Sequence, residues 1–183
     1  PNFELRRSSI ERIRFLGIAR IENRLVISEN NELAQVSGFD RLSSIRELII
    51  SNNANLQGVD GFEALETVET FNIRDNESLV RIEGFEQLQA INNMTVYRNN
   101  GLQTLRGFDQ LQEVNQINIE DNRSLVTVEF PGLERARNYI QIRNNDALQA
   151  PGNFPRLRQI DGNLTIDNNA ELVNFRGFEA LEN

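Results

Sequence analysis

LIISNNANLQGVDGFEAL, residues 48–65, is one copy of a pattern that recurs along the chain. In this copy an apolar anchor, Ile50, is followed three residues later by Asn53 and six residues later by Leu56. All seven copies keep this order, and successive anchors lie 23 residues apart five times and 24 once. The anchors are Ile27, Ile50, Ile73, Val96, Ile119, Ile142 and Ile166. A fixed period of this length indicates a solenoid, because a single unit cannot bury its apolar face alone.

The other apolar positions of the unit predict the shape of one coil. An apolar residue two before each anchor, such as Leu48, gives the period of two that is typical of a short strand. Later apolar residues come at steps of three, which suits short turns and 3₁₀-like chain. A Gly-Phe pair such as Gly61-Phe62 opens the return segment in five copies, and we interpret the phenylalanines as core stacking rather than a ligand site.

These features together predict a right-handed parallel β-helix of about seven coils of 23–24 residues. It forms a single repeat domain over residues 1–183, which we expect to be part of a longer chain at one or both ends. Residues 2–24 are expected to form a partial first coil with Phe3 and Leu5 in its strand. Two coils carry apolar residues one position early, which are Phe15, Ile18 and Ile21 in one and Phe130, Leu133 and Ala136 in the other.

The recurring asparagine predicts an internal ladder. Each coil must bend after its strand, and the bend leaves backbone groups that a buried side-chain amide can satisfy. The alternative is a row of ligand-binding asparagines on the surface. The positions are Asn30, Asn53, Asn76, Asn99, Asn122, Asn145 and Asn169.

The motifs G-F-x-x-L-x-x-V/I and L-x-I-x-x-N-x-x-L resemble those of the receptor L-domain family and its bacterial leucine-rich-repeat-like relatives. The segment IDGNLTIDNNAELVNFRGFEAL, residues 160–181, is the closest match. The resemblance covers nearly the whole chain and implies a flattened right-handed β-helix that is extracellular, binds ligand or partner proteins and is not catalytic. The chain departs from the receptor form because it lacks flanking cysteines and its repeat is more regular, so a microbial surface protein fits better.

Composition excludes several kinds of chemistry. The formal net charge of −8 would repel phosphate backbones, so we expect no nucleic-acid partner. All 19 basic residues are arginine, and the chain has no histidine, cysteine or lysine. The chain therefore cannot form a Ser-His-Asp or Cys-His catalytic arrangement, a lysine Schiff base or a Cys/His zinc site. We expect no cofactor, no bound metal and no enzymatic activity, and no apolar run is long enough to span a bilayer.

One column of acids leaves a question open. Asp40, Glu63, Glu86 and Asp109 each follow a Gly-Phe pair by one residue. Four carboxylates in line could bind a divalent cation. The alternative is that each acid sits at the start of a turn and interacts with free backbone N–H groups.

The outward face of the strands supplies the candidate binding residues. One column reads Ser28, Ser51, Arg74, Tyr97, Glu120, Arg143 and Asp167, and the next reads Glu29, Asn52, Asp75, Arg98, Asp121, Asn144 and Asn168. Tyrosine and arginine are enriched at interface hot spots. We therefore predict binding through Arg74, Tyr97, Arg98, Glu120, Tyr139 and Arg143, with Ser28, Ser51 and Asn168 as an inert rim. The alternative is that these side chains are ordinary solvated strand residues.

Three functional hypotheses follow from the sequence. The leading one is a non-catalytic recognition or adhesion module that binds a protein or glycan through its outward sheet face. A structural spacer in a longer surface protein is the second. A β-helix carbohydrate-active enzyme is the third, and it would need paired acids in a cleft.

Overall fold

The computed structural model describes residues 2–14 and 17–182, and Phe15 of the first early-shifted coil lies outside them. Strands and turns make up the described chain, without a helix. The strands are β1 (Phe3–Arg6), β2 (Arg12–Arg14), β3 (Arg24–Ser28), β4 (Gln35–Ser37), β5 (Ser44–Ser51), β6 (Gly58–Val59), β7 (Thr67–Arg74), β8 (Arg81–Ile82), β9 (Ala90–Tyr97), β10 (Thr104–Leu105), β11 (Glu113–Glu120), β12 (Thr127–Val128), β13 (Arg135–Arg143), β14 (Gln159–Ile160) and β15 (Leu164–Asp167).

Two parallel sheets run along the molecule. The large sheet has the order β1-β3-β5-β7-β9-β11-β13-β14, with β15 also paired to β13. The small sheet has the order β2-β4-β6-β8-β10-β12. Neighbouring strands are offset by one coil, so that Ile27 is the register partner of Ile50 and Ile50 that of Ile73. The predicted parallel β-solenoid of about seven 23-residue coils is confirmed.

Each coil turns at its Asn-x-x-Leu and Phe-x-x-Leu segments. In the coil quoted above, the Leu56 N–H donates to the Asn53 carbonyl at 3.2 Å, and the Leu65 N–H donates to the Phe62 carbonyl at 2.9 Å. These bonds span three residues, which explains the three-residue spacing of the apolar positions between strands.

The core is continuous from coil to coil. The phenylalanines form a stack with centroid distances between 4.8 and 5.5 Å, through Phe39, Phe62, Phe85, Phe108, Phe130, Phe154 and Phe178. Six of the seven anchors are fully buried, whereas Ile166 in the last coil is only partly covered. Ile166 lies on β15, which pairs with β13 on one side within the described residues.

The asparagines lie inside the solenoid and link successive coils. Asn53 Nδ2 donates to the Ile27 carbonyl at 3.1 Å, and the Asn53 N–H donates to Asn76 Oδ1 at 3.1 Å. The same bonds recur along the column, and Asn30 to Asn145 are fully buried. Their amides therefore satisfy the backbone groups that the bend exposes, and they offer no surface for a ligand.

The irregular coils alter the strand pairing only locally. Strand β1 pairs with β3 so that Phe3 faces Leu25 and Leu5 faces Ile27, as predicted for a partial first coil. In β13 the register shifts between Ala136 and Tyr139, where two residues oppose one residue of β11. This bulge takes up the early placement of Ala136 and restores the register before Ile140.

Candidate functional site

Four predicted binding residues form one contiguous row on the outer face of the large sheet. Arg74, Tyr97, Glu120 and Arg143 are successive register partners on β7, β9, β11 and β13. Adjacent strands lie about 4.8 Å apart, so each side chain of this sheet-face row can contact the next. All four are half-buried, which leaves their polar ends accessible.

The row ends where the backbone bends. The residue after each row position has a positive φ in every coil, between 52° and 58° from Glu29 to Asn168. Asparagine or aspartate, which tolerate this conformation, occupy five of these seven positions. Glu29 and Arg98 are the exceptions. Arg98 therefore bears backbone strain at an exposed position, where it contributes little to the core.

Arg98 is held against Tyr97. Its guanidinium carbon lies 4.8 Å from the centre of the Tyr97 ring, and its Nε lies 3.7 Å from Asp121 Oδ2. A cation over an aromatic face is attracted by the ring quadrupole. Tyr97 and Arg98 thus form an ordered pair in the middle of the sheet-face row.

We expect Arg98→Asn to raise the free energy of unfolding by about 0.5 kcal/mol, because asparagine adopts the left-handed conformation more readily than arginine. The matched variant is Asn52→Arg, which places arginine at the equivalent position of another coil. It should lower the free energy of unfolding by a similar amount. Urea unfolding measures both. If Arg98→Asn does not stabilise the protein, or if Asn52→Arg does, arginine is not strained at this position.

The two arginines of the row form ion pairs only at the surface. Arg74 Nη1 lies 2.8 Å from Asp75 Oδ2, and Arg143 Nη2 lies 3.4 Å from Asp167 Oδ2. Exposed ion pairs of this kind contribute little and exchange readily for other partners. Among the described residues, the buried atoms Asn72 Oδ1, Asn118 Oδ1 and Arg143 Nε have no hydrogen-bond partner. The outer face of the large sheet therefore has hydrogen-bonding atoms without a partner beside the row.

Tyr139 lies apart from the sheet-face row. Its register partner is Gln116, on the opposite side of the anchor from the row positions. It is separated from Tyr97 by two strands and four residues, which corresponds to about 16 Å. A single small ligand cannot contact both tyrosines, although a protein surface or a chain-like glycan can.

The predicted rim was wrong at two positions. Ser28 and Ser51 are each only 4% exposed. Short side chains between closely spaced strands are shielded by longer neighbours, and here Arg6 is the register partner of Ser28 and Arg74 that of Ser51. Asn168, at the other end of the sheet, is exposed.

In the part of the chain that the structure describes, no three acidic side chains gather around one point, and this includes the acidic column. In the last coil, Glu179 Oε1 accepts the Gly177 N–H at 3.0 Å, which is the turn interaction considered above. Burial raises the pKa of Glu63, and the neighbouring Asp40 carboxyl raises it further. The close acids therefore repel one another.

We expect Glu63→Gln to raise the melting temperature at pH 7. Because the pKa of Glu63 is raised in the folded state, the native protein binds more protons than the unfolded chain above the ordinary glutamate pKa. Stability therefore falls as pH rises above about 4.3, and it is not reduced below that value. The gain should disappear at pH 3. Calorimetry at both pH values, with Glu66→Gln as the control outside the column, measures it. An equal gain at both pH values would exclude this cause.

A polar cleft on the small sheet was missed by the sequence analysis. It has a volume of about 530 Å³ and is lined by Arg12, Gln35, Ser37, Gln57, Asp60 and Arg81. Gly58 lies between Gln35 and Arg81 in the sheet, and both side chains fold over it. Gln35 Nε2 donates to Asp60 Oδ2 at 2.5 Å, and burial raises the pKa of Asp60. The available signal was Gly58, which stands between the long side chains of Gln35 and Arg81 in its column.

No helix among the described residues combines the length and apolarity needed to cross a bilayer. No family model, curated protein or solved structure matches the chain.

Proposed function

We propose that the protein is a non-catalytic recognition module that binds a protein or glycan through the sheet-face row of Arg74, Tyr97, Glu120 and Arg143. The observation that carries the proposal is the pair at its centre. Arg98 takes a strained backbone conformation and stacks on Tyr97 at 4.8 Å, although neither residue belongs to the core. Strain kept at an exposed position supports a role in contacts outside the molecule.

The chemistry of the row suits recognition. Tyrosine offers rigid contact area with a polar tip, and arginine offers a planar head with several donors. The row places three such side chains and one carboxylate on neighbouring parallel strands, which hold them without mobile loops. A partner therefore meets a surface whose backbone is already ordered, and this lowers the entropy cost of binding.

The same observations favour recognition over a spacer. A spacer needs only a solvated surface, whereas the outer face here changes from buried serines in the early coils to half-buried arginines and tyrosine in the middle ones. The absence of histidine, lysine and cysteine from the sequence supports a non-catalytic role. We also propose an extracellular or cell-surface location and an adhesion-type role, on the strength of the resemblance to receptor L-domains.

The test begins with a screen of protein and glycan arrays, followed by affinity measurements on the best hit. We expect the double variant Tyr97→Ala, Arg143→Ala to bind at least about 30-fold more weakly, since a hot-spot residue contributes about 2 kcal/mol. The control is Gln35→Ala, Arg81→Ala on the small sheet, which should bind like the wild type. If the control loses affinity and the row variant keeps it while folded, the small-sheet cleft is the binding site and the proposal is wrong.

A further inference from the structure

The outer face of the large sheet changes character in the middle coils. Its middle column, one residue before each anchor, is aliphatic in two early coils, where Val26 is buried and Ile49 is half-buried. In the next four coils the column is polar, and its successive register partners are Asn72, Thr95, Asn118 and Gln141. Ile49 pairs directly with Asn72, so the repeat accepts either kind of side chain without a change in strand pairing.

The amides of this middle column have few partners within the protein. In the part of the chain that the structure describes, the column makes one side-chain hydrogen bond, from Asn118 Nδ2 to Glu120 Oε2 at 3.5 Å. The buried atoms Asn72 Oδ1 and Asn118 Oδ1 have no partner there. Because Thr95 stands between the two asparagines, their amides cannot form a ladder like that of the inner column. Hydrogen bonding within the fold therefore does not account for them.

Asparagine is also a poor residue for the centre of a strand. It is depleted in strands, whereas β-branched residues such as Val26 and Ile49 are enriched, and an unsatisfied buried amide oxygen costs stability. Residues that break a local rule without a structural gain are expected at functional sites. Asn72 and Asn118 therefore indicate a contact made outside the chain.

The surroundings of the middle column are polar. The sheet-face row lies on one side of it, and on the other side lies a third column with Thr70, Asn93, Gln116 and Tyr139. These three columns contain no aliphatic side chain on the four strands, whereas protein interfaces have an apolar centre. Carboxamides donate and accept side by side, as the hydroxyl groups of a sugar do.

The charge of the three columns is nearly balanced. Arg74 is paired with Asp75 at 2.8 Å and Arg143 with Asp167 at 3.4 Å, and Glu120 is the remaining charged member. A strongly acidic ligand would have to displace these carboxylates within a chain of net charge −8. A neutral ligand that is rich in hydroxyl groups meets no such cost.

The geometry favours an extended ligand. The middle column crosses four parallel strands in register, a distance of about 14 Å along the solenoid. Equivalent side chains therefore recur at the spacing of the strands, and an extended chain along the column can contact each coil in turn. A helically wound chain leaves the flat sheet after a short contact.

We propose that the ligand is a neutral, unbranched glycan of extended β-1,4-linked sugars that lies along the middle column. Asn72, Thr95, Asn118 and Gln141 bind its hydroxyl groups, and Tyr97, two residues after Thr95 on the same face, contacts it from the row. This proposal rests on the proposed recognition function and names its ligand class.

Calorimetric titration of the 183-residue chain with neutral β-1,4-linked hexasaccharides of glucose, mannose, xylose and N-acetylglucosamine tests the proposal. We expect at least one to bind, and to bind at least about tenfold more tightly than its disaccharide, because the longer chain contacts more strands. Maltohexaose, which winds helically, and an acidic heparin hexasaccharide should bind at least about tenfold more weakly than that ligand. Binding of none of the four, or equal binding of maltohexaose or heparin, would overturn the proposal.

The decisive variant is the double change Asn72→Val, Asn118→Val. It should lose at least about tenfold in affinity for the bound hexasaccharide and melt at the same temperature or higher, because Val26 already occupies this column in another coil. Thr104→Val, at a half-buried position of the small sheet, is the control and should bind like the wild type. Unchanged affinity of the double variant, or a lower melting temperature, would mean that the amides are structural and would refute the proposal.

The variant Tyr97→Ala, Arg143→Ala separates this proposal from the recognition function on which it rests. If it loses a protein ligand while no neutral glycan binds, recognition through the row stands and the glycan proposal is wrong. If it keeps full affinity for a hexasaccharide that the asparagine variant no longer binds, the glycan proposal stands and the row is not the site.

Discussion

Replacing Phe85 by alanine is expected to lower the free energy of unfolding by about 4 kcal/mol, the usual cost of removing a buried phenylalanine side chain. Phe85 is fully buried and lies in the middle of the phenylalanine stack, 5.0 Å from Phe62 and 5.5 Å from Phe108 between ring centres. Phe71 contacts it edge-on at 5.1 Å. The variant therefore loses three aromatic contacts and leaves a cavity that the stacked coils cannot close without shifting the sheets.

Thermal unfolding measures this effect, with a decrease in melting temperature of roughly 10 °C for a chain of this size. The matched control is Phe175→Ala, because Phe175 is 60% exposed and should change the melting temperature by at most a few degrees. Similar decreases in the two variants would mean that the stack is not the stabilising core of the solenoid.

Asn99→Ala is expected to cost about 2–4 kcal/mol, because it removes the partners of two buried backbone groups. Asn99 Oδ1 accepts the Asn76 N–H at 3.2 Å, and Asn99 Nδ2 donates to the Ile73 carbonyl at 3.0 Å. Both backbone groups belong to the preceding coil, so the loss falls on the contact between coils. Water cannot replace the amide easily, since the site is fully buried.

Asn93→Ala is the control for the ladder. Asn93 is half-buried on the outer face, and its Oδ1 only accepts a side-chain bond from Asn115 Nδ2 at 3.3 Å. Its replacement should cost no more than about 0.5 kcal/mol. Chemical denaturation of the two variants and the wild type gives the comparison, and equal stabilities would exclude the ladder as a structural element.

The repeat made the fold predictable from sequence. Ile50, Asn53 and Leu56 recur at fixed spacing, and a chain that repeats one unit must repeat one backbone conformation. The inner columns could therefore be predicted without any long-range information, because each residue stacks on the equivalent residue of the next coil. The bulge before Tyr139 was also detectable, since Ala136 was one residue early while Ile140 was not.

The outer surface was less predictable. Alternation in a strand gives the direction of a side chain, but it does not give the cover that neighbouring side chains provide, so Ser28 and Ser51 were wrongly expected to be exposed. The column assignment of Arg74, Tyr97, Glu120 and Arg143 followed from the repeat, whereas the stacking of Arg98 on Tyr97 depends on rotamers. The cleft around Asp60 combines side chains from several coils at a glycine, and no motif marks it.

Chemical-shift mapping of the best array hit tests the central claim most directly. Amide spectra of the 21.0-kDa chain are recorded as the ligand is added, and the shifts are plotted on the two sheets. The proposal predicts that the largest shifts fall on β7, β9, β11 and β13 around Tyr97 and Arg98, with little change on β4, β6 and β8. Largest shifts on the small sheet, or at the two ends of the solenoid, would contradict recognition through the sheet-face row.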